Sequence, residues 1–399
     1  MIFTTYWFAL FAAVFFPAYW LLRAPSLRSW WLLGGCAWFH AHFAGPAGVV
    51  PIAVLCVLTY CCALSRLRSL CYAAITVCVA ALIFYKYTHF LSVEALAAVF
   101  PKLGADANAA VTRWLPAMPP LALSFFTFEF VHYLVEVSRG GEPIRNPKTF
   151  ALFAIYFPSL VAGPIKRYRE FTAALPEALA RVDLTNLAQG AQRVALGFAK
   201  KILLADNLTV ALAFHEAAFF SLSAPEAWLF LAALAARILL DFSGYSDIAI
   251  GFSQMLGLRL PENFNYPYAA TNLRDFWQRW HISLSTWIRD YIYIPLGGNR
   301  HGPARRLLNL IVAFALCGLW HGAAGHFVLW GLWHGVGLIL QATYRRALGP
   351  LGPKLGAVFE RIPALGWSIT LLFVAFGWLL FFYPPAQAWA MAVKLLSFR

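Results

Sequence analysis

Charge is scarce in this sequence. Only 12% of the 399 residues are Asp, Glu, Lys or Arg, against roughly a quarter in an average soluble domain. Hydrophobic residues make up 61% of the chain and the mean hydropathy is +0.66. A water-soluble fold of this length cannot bury that much apolar surface. The composition therefore excludes an ordinary soluble enzyme and predicts a polytopic membrane protein.

Acidic residues are rarer still, with 17 Asp and Glu against 31 Lys and Arg. The basic residues do not form a patch interleaved with stacking aromatics, so nucleic acid is not an expected partner. They lie instead in short connectors between apolar runs, as expected near the anionic headgroups of a membrane. Examples are Arg23 and Arg28, Arg66 and Arg68, Arg139 and Arg145, Arg305 and Arg306, and Arg345 and Arg346.

Several motifs of soluble enzymes are missing. None of the seven cysteines belongs to a C-x-x-C pair, and no H-x-x-x-H pair stands near a Glu, so no metal site is expected. The nucleophile motif G-x-S-x-G of serine hydrolases is also absent. Any chemistry must therefore come from other polar residues set among the hydrophobic helices.

The apolar runs predict an all-α protein with about eleven membrane-embedded helices, some of them short or re-entrant. We expect one domain over 1–399, with N-terminal helices in 1–100, a catalytic core in 119–347 and C-terminal helices in 365–399. Ile2–Leu22 has no basic segment before it and is followed by Arg23. This pattern predicts an uncleaved first helix rather than a signal peptide.

The middle of the chain departs from simple spanning helices. Phe150–Ala162 is apolar but too short to cross a bilayer, and Gly163 and Pro164 follow it. Irregular backbone at membrane depth requires protein or a water-filled cavity around it, so a half-helix or re-entrant segment is predicted. Asn186–Asp206 is amphipathic, and we expect it to lie along a membrane interface.

The segment Asn272–Tyr293 combines helical periodicity with charge. Phe276, Trp280, Leu284 and Ile288 recur at helical spacing, and this spacing predicts one helix. The segment also contains Asp275 and Arg279, which stand four residues apart and can pair on one face. Charged helices do not face lipid, so this helix is predicted to line a cavity or its cytoplasmic rim.

Two histidines stand out among ten. His321 ends an apolar run, where an ionisable side chain suggests function, and His281 lies in the charged segment. A buried, neutral imidazole can take the proton of a hydroxyl as that hydroxyl attacks an acyl carbon, with a second donor stabilising the oxyanion. This pattern predicts His321 and His281 as catalytic residues, with the oxyanion donor supplied by His281 or by the indole N–H of Trp277 or Trp320. The segment Asp241–Asp247 is also polar; it either bonds helices together or lines the reaction chamber.

The sequence closely resembles the bacterial membrane-bound O-acyltransferases. Asp275–Trp287 (DFWQRWHISLSTW), continued by Arg289–Arg300 (RDYIYIPLGGNR), is similar to one signature of the family, and Gly318–Gly322 (GLWHG) to the signature that holds its invariant histidine. Further segments match in the same order: Ser124–Phe128, Leu160–Ile165, Ala205–Asn207, Asp241–Asp247 and Pro261–Asn265. Within the family, the details resemble the alginate O-acetyltransferase branch first and the teichoic-acid D-alanylation branch second.

The resemblance implies helices ringed around a central tunnel, in which a cytoplasmic thioester donor meets a hydroxyl from outside. The implied donor is acetyl-CoA or an acyl carrier protein, used as a co-substrate with no bound cofactor. The implied partners are membrane lipid, an extracytoplasmic acyltransferase partner and a polysaccharide acceptor, and the implied location is the bacterial inner membrane. The residues expected along the tunnel are Asp241, Ser243, Tyr245, Asp275, Trp277, Gln278, Arg279, Ser285 and Trp320.

Two other hypotheses, in which the protein catalyses no reaction, are alternatives to acyl transfer. A flippase or channel could pass a polymer or an acyl carrier, but we find no repeated half of the kind on which many transporters are built. A purely structural subunit would leave the charged segment around His281 unexplained. Transfer of labelled acetyl from acetyl-CoA by the purified protein distinguishes the enzyme from both.

Overall fold

The fold is described by a computed structural model that covers residues 2–116 and 118–397. Within these ranges the chain is helical and forms no β-strand; one isolated antiparallel bridge joins Phe264 and Trp280. The all-α class predicted from the sequence is therefore confirmed. The figure of about eleven embedded helices and their arrangement around a tunnel remain predictions.

Five described helices are long and apolar enough to cross a membrane: Pro25–Ser65, Arg68–Tyr87, Ala224–Met255, Gly302–His321 and Pro363–Phe382. Each has at least 20 residues, and about 20 residues at 1.5 Å per residue span a bilayer core of about 30 Å. Together they confirm a multi-pass membrane protein.

The chain forms two compact units. The first runs up to Phe198 and includes Tyr245–Pro261, and the second comprises Ala199–Gly244 and the chain from Glu262 onward. The helix Ala224–Met255 contributes to both units, because the division falls between Gly244 and Tyr245.

In the described part of the first unit, the chain up to Phe198 forms nine α-helices. They are α1 Tyr6–Leu21, α2 Pro25–Ser65, α3 Arg68–Leu82, α4 Ala97–Val99, α5 Pro101–Thr112, α6 Leu123–Ser138, α7 Pro147–Ala154, α8 Tyr168–Ala180 and α9 Leu184–Phe198. The helix α2 is interrupted at Gly45, whose φ of 65° and ψ of 173° are not helical. The amphipathic segment predicted over Asn186–Asp206 is helical, first as α9 and then as a π-helix over Ala199–Asp206.

Glycines allow α9 to approach the end of the helix Ala224–Met255. A Cβ atom added at Gly190 would lie 2.7 Å from the carbonyl oxygen of Gly251, and a Cβ atom at Gly251 would lie 2.7 Å from that of Gly190. Close backbone packing of this kind is typical of membrane helices. An ion pair of 3.1 Å between Arg193 and Asp247 reinforces the contact.

The short helix predicted after Phe150 is present, but it ends earlier than the glycine and proline at 163 and 164. The helix α7 stops at Ala154, and the buried chain beyond it forms turns. Pro158 contributes to this ending, because it has no N–H to donate to the carbonyl of Ala154 and disfavours helical backbone at Phe157.

The second unit contains the remaining helices. They are α10 Asn207–Glu216, α11 Ala224–Met255 up to Gly244, α12 Leu273–Arg279, α13 Ile282–Ile288, α14 Gly302–His321, α15 Gly325–Ala347, α16 Leu351–Arg361, α17 Pro363–Phe382 and α18 Pro385–Ser397. A π-helix over Arg289–Tyr293 follows α13. A turn over Pro295–Asn299 comes next, and Gly297 and Gly298 have the positive φ angles that it requires.

The prediction of a single helix over Asn272–Tyr293 was wrong. The segment breaks into α12 and α13, and His281 between them has left-handed backbone with φ 42° and ψ 55°. The cause is a neighbouring stretch of chain: Asn265 N donates to the carbonyl of Arg279, and Ile282 N donates to the carbonyl of Asn263, each at 3.0 Å. These bonds replace helical ones, so tertiary pairing overrides the periodic pattern.

The helices α14 and α15 pack backbone against backbone. A Cβ atom added at Gly318 would lie 2.0 Å from the carbonyl oxygen of Phe327, and one added at Gly331 would lie 2.1 Å from that of Phe314. Only glycine fits at such distances. This contact places the end of α14, with His321, beside the start of α15.

Candidate active site

The backbone at His281 is strained. Non-glycine residues with positive φ are uncommon, and such strain costs about 1–3 kcal/mol and concentrates at functional sites. The strain is maintained by Asn263, which is fully buried. Its side-chain oxygen accepts hydrogen bonds from the Ser283 hydroxyl at 2.6 Å and from the Ser283 backbone N–H at 3.3 Å. The start of α13 is thus fixed where His281 leaves the helix.

The break brings His281 close to His321. The centroids of the two imidazole rings lie 6.4 Å apart with the ring planes at 84°. His281 is completely buried, whereas His321, the last residue of α14, is partly exposed. The two catalytic residues predicted from the sequence, 40 positions apart in number, therefore share one site.

Aromatic rings surround the two histidines. Trp320, Trp330 and Phe381 lie 5.0, 5.1 and 5.3 Å from His321, measured between ring centroids. On the other side, Phe242 lies 4.6 Å from His281. Walls of this kind exclude water, which strengthens every hydrogen bond and charge interaction formed inside.

The ring nitrogens of His281 are both buried, and neither bonds to another described residue. His281 lies outside the five long apolar helices, and its burial lowers the pKa of the imidazole, so the ring is neutral near pH 7. Leaving a buried polar group without a partner costs about 1–3 kcal/mol. A bound group that restores those hydrogen bonds would recover that cost.

Several residues predicted along the tunnel support the backbone around His281. Asp275 and Arg279 form the expected ion pair, with 2.7 Å between Oδ1 and Nε, and Arg279 Nη1 also donates to the carbonyl of Asn265 at 3.3 Å. The Ser285 hydroxyl donates to the carbonyl of Trp280 at 3.2 Å. All three side chains therefore stabilise the ends of α12 and α13.

The other predicted tunnel residues differ in position. Trp277 is buried beside Trp330, with ring centroids 5.9 Å apart, whereas Gln278 is exposed. Trp320 is buried 6.0 Å from His281. Their roles along a tunnel remain predictions.

The polar segment of α11 is divided between the two units. In the second unit, Asp241 forms an ion pair of 2.6 Å with Lys201. Lys201 also pairs with Asp206 at 2.7 Å. Ser243, in the same unit, is buried. Tyr245 belongs to the first unit, where its ring lies 5.0 Å from that of Phe3. Hydrogen bonding within a unit is thus the observed role of Asp241.

Two site residues were missed by the sequence analysis. Trp330 lies against His321, and His334 lies 5.0 Å from Trp330, one helical turn further along α15. The sequence does contain a feature that could have indicated them: Trp330–His334 (WGLWH) places two indoles and an imidazole within an apolar helix. In the described part of the chain, no group of three His, Cys, Asp or Glu residues is arranged to hold a metal ion.

The sequence was compared with those of known proteins and protein families. Residues 144–384 match the membrane-bound O-acyltransferase family. The chain is 39% identical over 317 residues to a probable alginate O-acetylase of Pseudomonas aeruginosa, covering 79% of this chain and 58% of that protein.

More distant relatives act on other polymers. The chain is 33% identical over 304 residues to a peptidoglycan O-acetyltransferase of Helicobacter pylori, covering 70% of this chain and 56% of the relative. It is 29% identical over 280 residues to a teichoic acid D-alanyltransferase of Bacillus subtilis, covering 66% of this chain and 69% of that relative. The chain thus spans 58–60% of the length of the first two alginate relatives.

Proposed function

The chain belongs to the membrane-bound O-acyltransferase family, and from this premise we propose that it transfers an acyl group, acetyl by preference, from a cytoplasmic thioester to a hydroxyl. The acceptor is an exported polysaccharide or an extracytoplasmic partner protein that completes the transfer. The observation that carries the proposal is the pair of imidazoles at 6.4 Å, His281 and His321, inside an aromatic enclosure. The protein acts in the bacterial inner membrane, where donor and acceptor approach from opposite sides.

In the proposed reaction His321 is the general base. Its ring takes the proton of the acceptor hydroxyl while the hydroxyl oxygen bonds to the thioester carbonyl carbon. The tetrahedral intermediate then collapses and breaks the carbon–sulfur bond, and the imidazolium of His321 returns the proton to the leaving thiolate. The products are an ester and a free thiol, and no external reductant or oxidant is required.

The developing oxyanion needs a hydrogen-bond donor. His281 suits this role, because its ring is neutral, buried and without a bond to another described residue. A neutral imidazole has one N–H to donate. The indole N–H groups of Trp277 and Trp320 are the alternative donors within the same unit. Removing one such donor typically lowers the rate by about 100- to 1,000-fold.

The proposed donor is acetyl-CoA or an acylated carrier protein, used as a co-substrate. The relatives favour acetyl, since the alginate and peptidoglycan proteins are named for acetyl transfer and are more similar in sequence than the D-alanyltransferase. The same relatives support a polymer as the final acceptor. They do not distinguish alginate from another polymer, so the acceptor is proposed by class alone.

The test uses protein purified in detergent or nanodiscs, labelled acetyl-CoA and acetylated carrier protein as alternative donors, and a small polysaccharide acceptor. Wild-type protein should release free thiol and acylate the acceptor, and His321→Ala should lose both activities by at least about 1,000-fold. His301→Ala is the matched control, because His301 is exposed and precedes the other end of α14. Full activity of folded His321→Ala protein would refute the role of the base, and transport without acylation would favour a channel.

A further inference from the structure

The first unit contains an apolar groove that the proposed reaction does not use. It lies between α1 and the start of α2, has a volume of about 720 Å³ and is lined by aromatic and aliphatic side chains and by glycine. Along α1 the lining runs from Trp7 to Leu22, which is about 22 Å at 1.5 Å per residue. The hydrocarbon layer of one leaflet is about 15 Å thick, so the groove is long enough for a lipid chain. We call it the aromatic groove.

Stacked rings form the walls of the aromatic groove. Phe11 stacks on Trp38 with centroids 5.1 Å apart and planes at 8°, and Phe15 stacks on Trp31 at 6.2 Å and 11°. The indole N–H of Trp31 also donates to the carbonyl of Phe15 at 3.0 Å. These contacts join α1 to α2 and fix the rings, so the groove is formed before a ligand enters. Such preorganisation lowers the cost of ordering on binding.

Two glycines of α2 form the floor. A Cβ atom added at Gly35 would lie 2.3 Å from the ring of Phe15, so glycine at this position lets the two helices approach. A Cβ atom added at Gly34 would meet nothing within 4 Å, so the space above Gly34 is open. A larger side chain at position 34 would therefore enter the groove without forcing the helices apart.

Cations lie at one end of the aromatic groove. Arg23 follows Leu22 in the chain and is exposed, and the ammonium of Lys148 lies 5.0 Å from the centroid of the Trp30 ring, which lines the groove. Residues 1–93 contain no Asp or Glu. Glu142, the acidic residue nearest to Lys148 in sequence, pairs with Arg66. The positive charge at this end is therefore not neutralised by a carboxylate close to it in the chain.

Arg28 fixes the same end of the groove. Its side chain is buried and donates to the carbonyls of Leu22 at 2.6 Å and of Leu179 at 3.0 Å. These bonds hold the turn between α1 and α2. The guanidinium of Arg28 thus serves the structure, and Arg23 and Lys148 are the cations that can meet a ligand.

Shape and charge together indicate the occupant. Lipid chains are as apolar as the groove, so apolar contact alone would select no particular lipid. A basic residue at the membrane surface, however, favours an anionic headgroup by about fivefold. A transmembrane helix fits less well, because helix contacts in membranes use small or polar side chains, whereas Trp31 and Trp38 are bulky and already stacked.

We propose that the aromatic groove binds one anionic phospholipid, whose phosphate pairs with Arg23 and Lys148 and one of whose acyl chains lies between α1 and α2. The ligand is a resident lipid of the membrane and not a substrate. This inference does not depend on the proposed reaction, because no residue of the groove belongs to the site around His321.

Binding is measured by native mass spectrometry on the full chain in detergent, titrated with phosphatidylglycerol or with phosphatidylcholine. The protein should bind one phosphatidylglycerol about 25-fold more tightly than phosphatidylcholine, as two cations would give. Arg23→Gln and Lys148→Gln should each lower the affinity for phosphatidylglycerol by about fivefold. Arg139→Gln removes an exposed cation elsewhere in the first unit and should leave this affinity unchanged.

Gly34→Leu tests the groove itself. The leucine side chain would occupy the space of the lipid chain, so the affinity for phosphatidylglycerol should fall by at least about tenfold. Thermal stability in lipid-free detergent should be retained, because the new Cβ atom meets no other atom. Ala53→Leu is the matched control: it adds the same side chain at an exposed position of α2 outside the groove and should bind lipid as the wild type does.

Three outcomes would overturn the proposal. Equal affinity for the two lipids would refute the pairing of the phosphate with Arg23 and Lys148. Unaltered affinity in folded Gly34→Leu protein would exclude the groove as the lipid site. Dimers that dissociate in Gly34→Leu protein, with lipid binding unchanged, would assign the groove to a second copy of the chain.

Discussion

The rings of His281 and His321 stand almost perpendicular to one another, 6.4 Å apart between centroids. One ring follows a break between two short helices, and the other ends a long helix. In the proposed reaction one imidazole serves the attacking oxygen while the other serves the carbonyl oxygen.

The strain at His281 can be separated from its chemistry by two substitutions. His281→Gly and His281→Ala both remove the imidazole, so each should lower acyl transfer by about 100- to 1,000-fold. Glycine tolerates left-handed backbone, whereas alanine loses about 1–2 kcal/mol there. The glycine variant should therefore be the more stable of the two in thermal unfolding. Equal stability would show that the positive φ carries no cost.

Asn263 should be as important for the site as a residue that contacts substrate. Asn263→Ala removes the acceptor for both Ser283 hydrogen bonds in a buried place, at an expected cost of about 1–3 kcal/mol in unfolding free energy. Activity should fall with it, because the start of α13 loses its fixed position. Asn299→Ala removes one exposed hydrogen bond from the Tyr293 hydroxyl, so as the control it should change both properties far less. Unaltered kcat in the Asn263 variant would contradict the role assigned to this side chain.

The glycine contact between α14 and α15 should tolerate no side chain. In Gly331→Ala the new Cβ atom would lie 2.1 Å from the Phe314 carbonyl oxygen, so the helices must separate. We expect a loss of at least about 2 kcal/mol in stability and reduced transfer, measured by denaturation and by thiol release. Gly34→Ala meets nothing within 4 Å and should be harmless. A stable, active Gly331 variant would show that this packing is not required.

The ion pair of Asp275 and Arg279 should act on structure rather than on the reaction. A double-mutant cycle with Asp275→Asn and Arg279→Gln should give a coupling energy of about 0.5–1 kcal/mol, because both side chains are partly exposed. Arg279→Gln alone should cost more than Asp275→Asn, since Arg279 also bonds the carbonyl of Asn265. Retained acyl transfer at low temperature would agree with a structural role, whereas abolished transfer in a stable Asp275→Asn protein would assign that carboxylate to the reaction.

Local patterns in the sequence predicted local structure well. The pairing of Asp275 with Arg279 followed from a spacing of four residues, and it is present. The first helix, expected over Ile2–Leu22, followed from an apolar run, and α1 occupies Tyr6–Leu21 within it. Each of these features depends on residues within one or two turns of one another.

Features that depend on distant residues were not predictable in this way. The periodic pattern from Phe276 to Ile288 gave no sign of the break at His281, because the hydrogen bonds that cause it come from Asn263 and Asn265. The state of His334 was also hidden, since a satisfied histidine and an unsatisfied one look alike in a sequence. Its burial without a hydrogen-bond partner among the described residues is visible only in the structure.

The glycines at 318 and 331 also hold the backbone that carries His321, the proposed base. Helices in main-chain contact cannot slide past each other or come closer without a clash, so the distance between the end of α14 and the start of α15 is fixed. Phe381 belongs to α17 and not to this backbone contact, and its ring lies 5.3 Å from that of His321 between centroids. A bulkier or smaller ring at 381 should therefore alter the room beside His321 without disturbing the two glycines.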